Sequence, residues 1–204
     1  VRFGISKRKH LPALFLDNSE YALPIWKYRF VRQIEKAGLQ LSNLGITSFV
    51  FELPRNEYVF PFSLEGKTVL DIGASNGEVA WWFIHKLHAK KVICIECDKK
   101  HLSYLRKNKD VIDNIRIIGE MVQVHHLKNL EYDFIKCDIE GYEMVLIDYL
   151  NQGFKLKPCI VEVHTGWIRD RFLEKGFTVT SAKEETMVGA GIYTMNNFNL
   201  IKNL

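Results

Sequence analysis

The sequence predicts a doubly wound α/β fold, and three observations carry that expectation. From Thr68 onward, short runs rich in Val, Ile and Phe alternate with stretches of helical period. The first of these runs leads straight into Gly73 and Gly77, a strand-to-helix turn. The chain then closes on two β-rich runs with no helical pattern between them. Alternation of this kind builds a parallel sheet with helices on both faces, and the missing last helix makes the final pair an antiparallel hairpin. A mostly parallel, seven-stranded sheet with a C-terminal hairpin is expected.

The elements follow in chain order. Val1 to Lys9 holds Arg2, Lys7, Arg8 and Lys9 without an acid, which accounts for the whole formal charge of +4 and reads as a solvated basic arm. Over Ile25–Ala37, the residues Ile25, Trp26, Tyr28, Phe30, Val31 and Ile34 share one helical face, with Gly38 as the C-terminal cap. Two β-like runs, Ile46–Phe51 and Tyr58–Phe62, flank the turn signal Pro54-Arg55-Asn56. Residues 1–64 are thus expected as an extension of arm, helix and β-hairpin packed on a domain of residues 65–204. In that domain strands are expected at Thr68–Ile72, Lys91–Glu96, Ile115–Ile118, Asp133–Cys137 and Cys159–His164. Helices are expected at Gly77–His88, His101–Asn108, Tyr142–Leu150 and Trp167–Lys175, with Asp98 as a cap and only a short helix after the third strand. Phe177–Ala182 and Ile192–Asn196 supply the hairpin.

Composition excludes several classes. With 204 residues, 47% apolar and 25% charged, the chain is neither disordered nor fibrous, and one core suffices for its length. Its longest apolar run, Val79–Ile84, is far short of the ~18 residues of a membrane helix. No signal-peptide pattern opens the chain, and four cysteines are too few for a disulfide scaffold, so a cytoplasmic location is expected. Cys94 and Cys97 form a C-x-x-C on a buried strand with no second pair at zinc spacing. His125-His126 lacks the spacing of a metalloprotease helix, and no G-x-S-x-G elbow is present, which argues against hydrolases.

The strongest chemical signal is Asp71-Ile72-Gly73-Ala74-Ser75-Asn76-Gly77. Two glycines free the backbone for a ligand at the carboxyl end of the first strand. In a dinucleotide loop of the G-x-G-x-x-G type, the middle glycine would stand where Ser75 stands, so a nicotinamide enzyme is disfavoured. The second strand ends in Glu96, 19 residues beyond Gly77, where a carboxylate accepts hydrogen bonds from ribose hydroxyls. The fourth strand ends in Asp138, Glu140 and Glu143, carboxylates that call for water, a partner or a ligand. Glu162 and His164 stand at the end of the fifth.

Asp71-x-Gly73-x-x-x-Gly77 followed by Glu96 resembles the cofactor site of class I S-adenosylmethionine-dependent methyltransferases, a Rossmann-like fold. The stretch Lys136-x-Asp138-x-Glu140-Gly141-x-Glu143, with Glu162 and His164 after it, resembles the FkbM family, many of which methylate hydroxyls of sugars and polyketides. That resemblance spans Thr68 to Asn196, with Tyr142 in place of the family's usual small residue. It implies S-adenosylmethionine as cofactor, with Asp71, Gly73, Ala74, Ser75, Asn76 and Gly77 forming the loop. Glu96 and the adjoining Cys97 would lie at the ribose, Glu120 and Met121 at the adenine, and Asp138 at the methyl.

The sequence thus predicts methyl transfer to an oxygen of a small molecule or glycan. An alcohol must lose its proton as the new bond forms, which calls for a carboxylate or His nearby, and Asp138, Glu140 and His164 are the candidates. No resident metal is expected, although Asp138, Glu140, Glu162 and His164 are a possible oxygen-rich set for a divalent cation. An RNA methyltransferase, using the basic arm and Tyr142 or Trp167, stays open, as does a protein that binds the cofactor without catalysis. The N-P-P-Y-type motif of amino-directed nucleic-acid methyltransferases is absent.

Overall fold

A computed structural model of the chain describes residues 2–5, 12–15, 22–24, 36–40, 63–177, 179–181 and 194–195. Its centre is a five-stranded sheet. After β1 (Arg2–Ile5), β2 (Pro12–Phe15) and β3 (Ala22–Pro24), the chain forms β4 (Thr68–Ile72), α1 (Glu78–His85), β5 (Lys91–Ile95), α2 (Lys99–Ile112) and β6 (Ile115–Ile118). Then come α3 (Val124–Asn129), β7 (Phe134–Cys137), α4 (Met144–Asn151), β8 (Cys159–Val161), α5 (Gly166–Glu174), β9 (Val179–Ser181) and β10 (Thr194–Met195). The central strands lie in the order β6-β5-β4-β7-β8, and every pairing is parallel.

Alternation along the strands divides the core in two. Val69, Val92, Cys94 and Phe134 face α1 and α2, where they meet Ala80, Phe83, Leu102, Leu105 and Ile112. Leu70, Ile72, Ile93, Ile95 and Ile135 face the other way, onto Leu127 of α3, Leu146 of α4 and Ile168 and Phe172 of α5. Both faces of a parallel sheet are buried, which is why these strands read as nearly continuous apolar runs.

The helix boundaries have local causes. Asp98 caps α2 as expected, its carboxylate accepting from the backbone N–H groups of Lys100 and His101 at 2.9 and 2.8 Å. On the inner face of α2, Leu102, Leu105 and Ile112 are joined by a fully buried polar residue, Asn108. Its amide donates to the carbonyls of Gln40 and Asn76 and its oxygen accepts from Gln40 N–H, which ties residues 36–40 to the loop after β4.

Three expectations change. The arm expected at the N-terminus includes β1, which pairs antiparallel with β2, and β2 with β3, as a separate three-stranded sheet. The terminal strands β9 and β10 pair antiparallel with each other, but among the described residues no ladder joins them to the central sheet, so five of the seven expected strands are seen in it. The last parallel strand stops at Val161 rather than His164: the Glu162 N–H makes one more bond, to Cys137 O at 2.8 Å, and the side chains of Glu162 and His164 then gather over the end of β7. The expected helix at Ile25–Ala37 lies mostly outside the described residues, although Gly38, its expected cap, has φ +85°. The runs Ile46–Phe51 and Tyr58–Phe62 lie wholly outside them.

Candidate functional site

The strand order makes the site. The chain winds from β4 to β5 and β6 on one side, then crosses to β7 and β8 on the other, so a crevice opens at the carboxyl ends of β4 and β7. A cavity of about 400 Å³ occupies it, a volume in the range that takes a small molecule or cofactor. Gly73, Ala74, Ser75, Glu96, Cys97, Glu120, Met121, Asp138 and Glu140 line it, as do Glu78, Asp98, His101, Tyr142 and Glu162.

At one end, Glu96 is nearly buried, and its two carboxylate oxygens each accept a backbone N–H, from Ser75 and from Asp98, both at 2.8 Å. The carboxylate is thereby fixed with lone pairs left for a ligand. Glu120 approaches the same end, where its Oε1 is 3.0 Å from His126 Nε2. His126 is buried and accepts the Gln123 N–H at Nδ1, so its proton sits on Nε2 and is donated to Glu120. The sequence reading had no role for His126; the adjacent pair His125-His126 in a short helix carries no signal for one.

The glycine loop works differently from the expectation. A Cβ on Gly73 would lie 1.7 Å from the carbonyl oxygen of Asp138, and one on Gly77 would lie 2.6 Å from Ile112 and 2.8 Å from Leu105. Both glycines, with φ +76° and +90°, therefore let the protein close on itself: Gly73 across the switch point, Gly77 against α2. Gly73 still borders the cavity, whereas Asp71, Asn76 and Gly77 do not.

Asp71 is instead fully buried beside Lys136, its register partner on β7, with Lys136 Nζ 3.3 Å from Asp71 Oδ1. The same ammonium donates to Gly73 O at 2.9 Å and lies 3.9 Å from Asp138 Oδ2. Burial pushes the Asp71 carboxyl up to about 6 against the pull of that cation. Glu78 is likewise pushed up by burial, to about 7. Lys136 is a residue whose role was missed, although a lysine inside the apolar run Phe134–Cys137 was the visible signal.

At the other end, behind the lining residues Asp138, Glu140 and Glu162 and not itself lining the cavity, His164 sits among four carboxylates. Its Nδ1 is 2.7 Å from Oε1 of the fully buried Glu143. Its Nε2 is 3.5 Å from Asp138, 3.4 Å from Glu140 and 3.6 Å from Glu162. Burial opposes charge on the ring, but Glu143, Asp138, Glu162 and Glu140 outweigh it and hold the imidazole above its usual range. Glu162 is raised by burial and by the neighbouring Asp138 charge. For Glu143, burial is outweighed by the hydrogen bonds from His164 and from the Gly141 N–H, which hold it below the usual carboxylate range. Glu140 adopts φ +51° and keeps its carboxylate largely in solvent at the cavity mouth. The three expected catalytic residues, Asp138, Glu140 and His164, thus come together, with ligand-capable atoms within 4.8 Å of one another, the separation a divalent cation would need. Glu120, His125 and His126 form a second such group.

Searched by sequence, the chain matches no family model and no curated protein. Its fold does match solved structures. One is a variant of MtNAS in complex with S-adenosylmethionine, with TM-score 0.53, 13% identity, and 84% of this chain and 72% of that one covered. Another is Aeropyrum pernix fibrillarin with natively bound S-adenosyl-L-methionine, with TM-score 0.52, 13% identity, and 69% and 70% covered. A third is the tRNA methyltransferase TrmK of B. subtilis, with TM-score 0.50, 16% identity, and 78% and 66% covered. The chain has the α/β Rossmann-like methyltransferase fold, and at these identities the likeness is one of fold.

Proposed function

We propose that this chain is an S-adenosylmethionine-dependent methyltransferase that acts on a hydroxyl oxygen of a small molecule or glycan, as the FkbM resemblance implies. The observation that carries the reading is the pairing, in one cavity, of Glu96 fixed at one end with Asp138 and Glu140 at the other, with His164 directly behind those two carboxylates. The residues fit the cofactor. Glu96 would take the ribose hydroxyls with Cys97 beside it, Ala74 and Ser75 would lie along the loop, Glu120 and Met121 would border the base, and Asp138 would face the sulfonium. Fold neighbours carrying the same molecule add to that support.

Bound there, the cofactor supplies an electrophilic methyl on a sulfonium. The protein's part is to align the acceptor oxygen with that carbon and to take its proton. While the methyl is transferred, the hydroxyl proton would pass to the cluster of Asp138, Glu140 and His164. The carboxylates that line the mouth, Asp98, Glu120, Glu140 and Glu162, favour a neutral acceptor over a polyanion. Tyr142, 44% exposed at the rim, offers a face for a sugar ring.

A second reading, with RNA as acceptor, is favoured by one observation. A groove of about 840 Å³ at the edge of the sheet is lined by Lys90, Lys91, Arg106, Lys109 and Arg116. It lies at the starts of β5 and β6, away from the cavity at the strand ends. Calorimetry with S-adenosylmethionine, followed by methyl transfer to a panel of glycans, polyols and RNA, tests both readings. Transfer to a hydroxyl compound at full rate in high salt supports the first. Salt-sensitive RNA methylation lost in Lys91→Glu supports the second, and binding without transfer to any acceptor leaves a ligand-binding protein without catalysis.

A further inference from the structure

We propose that Glu143 is a positioning residue: it holds His164 with Nδ1 protonated and Nε2 turned toward Asp138, Glu140 and Glu162, the carboxylates that line the cavity there, so that Nε2 is the atom on which the acceptor's proton comes to rest. This rests on the methyl-transfer reading above. Neither composition nor the glycine loop points to Glu143, and the couple exists only because the residue that precedes α4 and the chain that follows β8 meet at the same end of the sheet.

The geometry is that of a carboxylate orienting an imidazole. Glu143 is at the N-cap of α4, fully buried, and its Oε1 accepts both the Gly141 N–H at 2.8 Å and the His164 Nδ1–H at 2.7 Å. With Nδ1 engaged as donor, the lone pair of a neutral ring is on Nε2. That nitrogen looks onto the ends of β7 and β8, where Asp138, Glu140 and Glu162 stand 3.4–3.6 Å away, with the Lys136 ammonium behind Asp138. Three carboxylates around one nitrogen also stabilise the imidazolium formed when the proton arrives.

Because one oxygen of Glu143 serves both donors, substitution separates charge from orientation. In Glu143→Gln the carbonyl oxygen can stay opposite Gly141 N–H and His164 Nδ1–H, so the tautomer is kept while the negative charge is lost. In Glu143→Ala both are lost. The readout is the His164 side chain itself, followed by ¹⁵N resonance of the whole chain against pH, beside the pH dependence of kcat.

In Glu143→Gln the titration midpoint of His164 should fall by at least about one pH unit with Nδ1 still protonated, since a close opposite charge is removed. The acidic limb of kcat, which the surrounding carboxylates set above the usual histidine range because only the neutral ring can take a proton, should move down with it. Glu143→Ala should show both tautomers and a kcat at least tenfold lower with the cofactor KM unchanged. If that variant fails to fold, Glu143→Gln and the wild-type tautomer still decide. An unchanged midpoint in Glu143→Gln, a wild-type ring protonated on Nε2 when neutral, or a His164 resonance displaced by magnesium alone would each overturn the proposal. Failure of the wild type to bind S-adenosylmethionine would instead overturn the methyl-transfer reading and leave the titration result standing.

Discussion

Gly73→Ala is the substitution whose cost can be worked from the coordinates. The sequence alone suggests that a bulky residue there would block a ligand and spare the sheet. In the structure a single methyl already meets the protein. Its carbon would stand 1.7 Å from Asp138 O and 2.8 Å from Asp138 C. Ordinary contact begins near 3.4 Å, so the chain leaving β7 must retreat by roughly 1.5 Å. An L-residue at φ +76° costs about 1–2 kcal/mol before any clash. The retreat strains the Asp138 N–H bond to Ile72 O at 3.0 Å and the Lys136 bond to Gly73 O at 2.9 Å. Losing one neutral and weakening one charged hydrogen bond adds about 2–3 kcal/mol, for about 3–5 in all. At 2–4 °C per kcal/mol for a chain of this size, Tm should fall by roughly 6–20 °C. Urea denaturation and thermal melting measure this. Gly141→Ala is the control, since its Cβ meets nothing within 4 Å at φ +103° and only the dihedral cost of about 1–2 kcal/mol applies. A Gly73→Ala protein that melts with the wild type, or no lower than Gly141→Ala, refutes the close approach.

Two further outcomes are expected. Glu96→Ala removes the acceptor of the Ser75 and Asp98 N–H groups, so calorimetry should show at least about tenfold weaker S-adenosylmethionine binding together with a lower Tm; unaltered affinity would rule out a ribose role. Glu78 is raised from 4.5 to about 7 and Asp71 from 3.8 to about 6, so the folded state holds protons that the unfolded chain has released. Their contribution is complete below the unfolded values and is lost as pH rises through the folded ones, so urea stability should decline from pH 4.5 to pH 7, and Glu78→Gln should flatten that decline. A stability that rises over this window in both proteins would contradict the assignment.

Much of the fold was legible in the sequence because its signals are local. Thr68–Ile72 and Ile115–Ile118 were found to the residue, the first because a strand buried on both faces is a short apolar run, the second because three isoleucines around one exposed Arg116 mark a β-branched edge strand. Asp98 was recognisable as a cap because a side chain bonding the N–H groups two and three residues on needs no distant partner. The sequence likewise determined that acids stand at the ends of the second and fourth strands. It did not determine what those acids meet. Gly73 was read as an opening for a ligand, yet its missing Cβ accommodates Asp138, 65 positions away. Asp71 was read as a ligand residue, yet parallel register sets it beside Lys136 and outside the cavity. Glu143 and His164 are 21 residues apart, and nothing in their local sequence pairs them. Local dihedral preference and side-chain period decide where elements lie, whereas strand order and register decide which side chains share a low-dielectric space, and only the folded chain settles that order.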